Sequence, residues 1–122
     1  MKKLSVLFLG LFIILASSNV FAGEKWAELE AFHKVMSTTY HPAEEGNFEP
    51  IKTRIGEMVE AAAKMNTSTV PAEFNKPEIL ETSKKMEADA RVLEEKIKAN
   101  ATNEEIKKEL ITLHDTFHKI VG

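Results

Sequence analysis

The chain of 122 residues contains no cysteine. That absence removes disulfides, thiol chemistry, Cys-ligated zinc or iron–sulfur sites, covalently attached c-type haem and a bacterial lipoprotein anchor. Glycine and β-branched runs are scarce, and charged residues make up 29% of the chain with many Glu, Lys and Ala, a helical composition. A Lys/Arg block is also missing. The mildly acidic balance argues against nucleic acid or an anionic membrane surface as the main partner. No activated serine, convergent pair of carboxylates or phosphate-binding loop is present, so an enzyme is not expected. The long apolar run, residues 4–16, falls short of the roughly 20 residues that a membrane-spanning helix needs.

What is present begins with an export signal. Lys2 and Lys3 form a positive start, residues 4–16 are almost wholly apolar, and Ser17, Ser18 and Asn19 turn polar. Val20-Phe21-Ala22 places small residues at −3 and −1, so cleavage is expected after Ala22 with delivery to the periplasm. The expected mature chain has 100 residues, with 14 basic and 19 acidic side chains and a net charge of −5, against −3 for the whole sequence. That length supports one small domain. Without disulfides, its stability must come from packing or from a bound ligand.

Apolar spacing predicts four helices, at about 24–40, 50–65, 77–99 and 103–121. Trp26, Leu29, Phe32, His33, Met36 and Tyr40 share the first stripe, which should stop near His41 because Pro42 disfavours helical geometry in the residue before it. Ile51, Ile55, Met58, Val59 and Ala62 point inward on the second helix. Ile79, Leu80, Met86, Ala90, Leu93 and Ile97 do so on the third, and Ile106, Leu110, Leu113, Phe117 and Ile120 on the fourth. Pro50 and Pro77 suit first turns, and the turn at 100–103 supplies a cap for a helix opening on Glu104 and Glu105. Short connections between four such helices predict an all-α, antiparallel up-down-up-down four-helix bundle.

The histidines fall in two pairs, His33 with His41 and His114 with His118. In such a bundle the first and last helices are neighbours, so the pairs converge. His33 lies inside an apolar stripe and is expected to face the core, where an unsatisfied ring nitrogen costs on the order of 1–3 kcal/mol. A bond to Tyr40 or to a residue across the bundle would satisfy it without any ligand. His114 and His118 are four apart and share one face, the spacing of a two-His metal clip. His114 sits at the boundary of the stripe and His118 at its rim, where two solvated cations near a helix C-terminus are the plain alternative. If Tyr40 is level with Asn103, His33 and His114 differ in height by about 6 Å. His41 then falls near the opposite end and ranks lower, either as a loop residue or beside Glu44 or Glu45 in a separate surface metal site.

Leu110-Ile111-Thr112-Leu113-His114-Asp115-Thr116-Phe117 resembles the end of the cytochrome c′ family, where Cys-x-x-Cys-His is often followed by Asp-x-Phe. Leu110 and Leu113 stand where the cysteines would be. Ala27-Glu28-Leu29-Glu30 leading to His33 is similar to the start of cytochrome b562, which has a Met at the position of His33. The resemblance implies an exported four-helix bundle holding haem between its first and last helices without thioether bonds. It would make His114 the proximal ligand and His33 the opposite one. It leaves His118 and the Glu-rich first loop without a role.

Three functions follow. The first is non-covalent haem b binding for electron transfer or ligand sensing, with a redox partner protein. Phe32, Met36 and Phe117 would flank the porphyrin, and Gly56, Ala61, Ala62, Ala63, Ala88 and Ala90 would supply small residues for its slot. The second is a transition-metal site of His33, His114 and His118 with a carboxylate such as Glu30 or Asp115, suited to zinc, copper or nickel. The third is a structural or interaction bundle without a cofactor.

Overall fold

Residues 25–122, which a computed structural model describes, form four α-helices and one 3-10 turn, with no strand among them. The expected signal, residues 1–22, and the expected helix start at Glu24 lie outside the described residues. The helices are α1 (Ala27–Glu44), α2 (Glu49–Thr67), α3 (Pro77–Lys98) and α4 (Asn103–Val121), and the turn is Ala72–Phe74. Each helix runs close to its neighbour in sequence, while the backbones of α1 and α4 approach each other along less of their length. The result is a four-helix bundle whose α1/α4 seam is spanned by ring contacts, Phe32 and His33 with Phe117 and Tyr40 with His114.

The ends of the helices follow from local chemistry. Pro50 and Pro77 occupy first turns, where a missing N–H costs nothing. Thr102 caps α4 in a reciprocal box. The Glu105 N–H donates to Thr102 Oγ1 at 3.2 Å, and the Thr102 N–H donates to Glu105 Oε1 at 3.1 Å. Asn100 turns the preceding connection with φ +60°, a left-handed conformation that asparagine tolerates.

α1 corrects the expected boundary. It does not stop near His41 but continues through Pro42 to Glu44. Pro42 sits in the last turn, so its ring removes one backbone bond near an end where the ladder is finishing anyway. Its carbonyl instead accepts from the N–H groups of Glu45 (3.0 Å) and Asn47 (2.8 Å), and Gly46 donates to the Ala43 carbonyl at 3.0 Å. Gly46 has φ +93°. A glycine in that region is the stop signal, and the proline before it is not.

The interior matches the spacing closely. Ile51, Ile55, Met58, Val59 and Ala62 of α2 are buried, as are Met86, Ala90 and Leu93 of α3, while Ile79, Leu80 and Ile97 are half-buried. All five expected positions of α4 are buried. On α1 the buried set is Leu29, Phe32, Met36, Thr39 and Ala43, a stricter alternation of three and four than expected. Trp26 closes one end of the bundle, 2% exposed, with Phe74 at 5.5 Å and its indole N–H donating to Ser68 Oγ at 3.4 Å. Trp26 thereby ties the α2–α3 connection to the start of α1.

Candidate functional site

The seam between α1 and α4 opens into a small cleft of about 50 Å³. α1 contributes His33, Met36, Ser37, Tyr40 and His41, and α4 contributes His114, Phe117 and His118. All four histidines therefore border one space. Met36 and Phe117 belong to the buried stripes, 1% and 4% exposed, and form its apolar floor. The imidazoles stand around the rim, with His114 half-buried and the other three exposed.

His33 is the first correction. It does not face the core, because the buried alternation runs through Phe32 and Met36, and His33 is rotated about 100° from Phe32 on the helix. Its ring lies on Phe117 instead, with centroids 5.0 Å apart. Tyr40 is the second. It stacks on His114, not on His33, with planes parallel and centroids 4.0 Å apart. The level of Tyr40 along α4 is thus residue 114 and not Asn103. The expected height offset between the helices changes accordingly, and His41 moves from the far end into the cleft. Its Nδ1 lies 3.4 Å from Glu44 Oε1. The carboxylate beside it is Glu44, and Glu45 is exposed.

His114 and His118 behave as their spacing predicts. Their Nε2 atoms are 3.3 Å apart, and the rings meet edge to face at 4.5 Å. Two nitrogens each about 2.05 Å from a shared tetrahedral ion would be about 3.3–3.4 Å apart. The observed separation matches that distance. Among the described residues, no group of three or more His, Asp or Glu is gathered tightly enough to hold an ion. Glu30 and Asp115, the expected carboxylates, do not line the cleft.

Electrostatics favour neutral His114. Burial, followed by the neighbouring His118, pushes its pKa below the ordinary imidazole value, while Asp115 and Glu44 pull the other way and His41 adds to the lowering. A neutral ring keeps a nitrogen lone pair available at neutral pH. Tyr40 is held as the phenol, raised first by burial and then by the Glu44 carboxylate beside it, with a smaller contribution from Asp115.

Haem can be tested against the same geometry. Ligand pockets for molecules of that size run to roughly 300–1,000 Å³, and the cleft offers about 50 Å³. Tyr40 covers one face of His114, and His33 is turned onto Phe117. The small residues expected to make a slot lie elsewhere: every cleft residue comes from α1 or α4, and Gly56 and Ala88 are exposed. As packed, the seam does not fit a porphyrin, which would need α1 and α4 to part.

Spacing alone missed two lining residues, Ser37 and the role of Tyr40. No known protein family, no curated protein and no solved structure matches this chain. The described residues form a four-helix bundle in which four histidines border the cleft between α1 and α4.

Proposed function

We propose that the chain is an exported, periplasmic metal-binding bundle that takes up one transition-metal ion (zinc, copper or nickel) on His114 and His118. The observation that carries this reading is the 3.3 Å separation of the two Nε2 atoms. His33 and His41 border the same cleft and supply further donors by side-chain rotation. In this reading the bundle is antiparallel and up-down-up-down. Pairs across the helices support that order: Thr38 with Arg54 and Trp26 with Ser68 for α1 and α2, and His33 with Phe117 and Tyr40 with His114 for α1 and α4. The protein binds rather than catalyses.

The second reading is haem b between His33 and His114, which rests on the likeness to cytochrome b562 and on both residues bordering one seam. One experiment separates the two. The purified protein is titrated with Zn(II) and, separately, with haem, followed by calorimetry, absorption and thermal melting. One ion per chain, lost in His114→Ala and in His118→Ala, with melting raised by the ion, is the expected result. At a hundredfold excess over Kd the stabilisation is about 2.7 kcal/mol. A strong Soret band abolished by His114→Ala, without ion uptake, would establish the haem reading instead. Uptake of neither leaves a bundle without a cofactor and ends the proposal.

A further inference from the structure

Donor chemistry in the cleft discriminates between the three ions. Square-planar ions such as Ni(II), and Cu(II) in its tetragonal sites, hold neighbouring nitrogens only about 2.8 Å apart at bonds near 2.0 Å. The tetrahedral and trigonal arrangements favoured by Zn(II) and Cu(I) place them at about 3.3–3.5 Å. The observed 3.3 Å belongs to the second group. Zn(II) then needs two further nitrogen or oxygen ligands. No carboxylate lines the cleft, and no third His, Asp or Glu is gathered with the pair among the described residues, so a four-ligand Zn(II) shell would require both His33 and His41 to rotate in, whereas Cu(I) requires one added donor. Cu(I) is content with few ligands and prefers soft ones.

A soft donor is present. Met36 lies 1% exposed on α1, borders the cleft that His114 and His118 rim, and is the sole sulfur among the lining residues. A thioether selects Cu(I) strongly over Zn(II). Methionine is also the core side chain best able to swing its terminal atoms without disturbing its neighbours, because it has three rotatable bonds and no branch. The apolar floor made by Met36 and Phe117 would exclude water from a monovalent ion. Resting on the metal-binding reading above, we propose that the ion preferred by this site is Cu(I), held by the imidazoles of His114 and His118 and the thioether of Met36 across the α1/α4 seam.

The test is an anaerobic Cu(I) titration of the full purified chain against a chromophoric Cu(I) chelator, paired with Zn(II) titration under the same conditions. Expected are one Cu(I) per chain, a sulfur shell beside two imidazoles in the X-ray absorption spectrum, and tighter binding than for Zn(II). Met36→Leu, a volume-conserving swap, should weaken Cu(I) by about tenfold or more, equivalent to about 1.4 kcal/mol, and leave Zn(II) unchanged. Met58→Leu, altering a buried methionine outside the cleft, should change neither. If Met36→Leu does not fold, the sulfur shell of the unaltered protein decides alone. Cu(I) bound without a sulfur shell, or held equally by Met36→Leu, overturns this assignment while the His114/His118 clip stands. Failure of both ions to bind overturns the clip as well.

Discussion

His114 is held by three different forces, and each can be removed separately. Tyr40 covers its face, His118 brings its Nε2 to 3.3 Å from that of His114, and partial burial disfavours its charge. Tyr40→Phe keeps the stack and should leave the ring's titration nearly unaltered. Tyr40→Ala opens the face to water and should raise the His114 pKa towards the ordinary imidazole value, read by following the ring protons in an NMR titration. The sign for stability follows from the same shift. An imidazole whose pKa is lowered in the folded state refuses a proton that the unfolded chain accepts, so unfolding gains ground as pH falls. Urea unfolding should therefore show stability that is constant above about pH 6.5 and declines below it until the lower, folded value is passed. His114→Leu should flatten that decline. At the same scale, Ser83 is buried with no partner for its hydroxyl. Ser83→Ala should be neutral or stabilising by up to about 1 kcal/mol, measured by the same unfolding assay, because the desolvated group is removed rather than orphaned.

At the scale of the helix, stability is decided at the ends. Thr102→Ala removes one half of the reciprocal cap on α4 and should cost about 1 kcal/mol, or about 4–8 °C in melting temperature for a domain of this size. Gly46→Ala meets no neighbouring atom, so its cost should be the left-handed backbone alone, about 1–2 kcal/mol. These positions also show what was legible. The Thr102–Glu105 box and the prolines opening α2 and α3 can be read directly, because each acts within one turn of its own chain. Pro42 misled because a proline stops a helix only where the ladder must continue beyond it. Two residues before the last helical residue it is tolerated, and Gly46 sets the boundary.

The core of the whole molecule belongs to α2, α3 and the inner faces of α1 and α4, and the seam contributes less. Met58, fully buried on α2, should cost about 2–5 kcal/mol when changed to Ala, whereas His33→Ala on the exposed rim should stay within about 0.5 kcal/mol. Chemical unfolding of the two variants side by side checks the contrast. An ion bound across the seam would join α1 to α4, so amide exchange in those two helices should slow most when it is added.

The chain alone was enough for the four helices, the inward positions read on α2 and α4 and the pairing of His114 with His118. All three are repeats within a few residues, and helix geometry converts spacing into direction without reference to anything distant. The alignment of α1 against α4 had no such signal. Sliding one amphipathic helix along another preserves every local pattern, so only side-chain packing chooses among the positions. Here Phe32 lies against Phe117 and Tyr40 lies flat on His114. That packing brought His41 and Met36 to one cleft with His114 and His118.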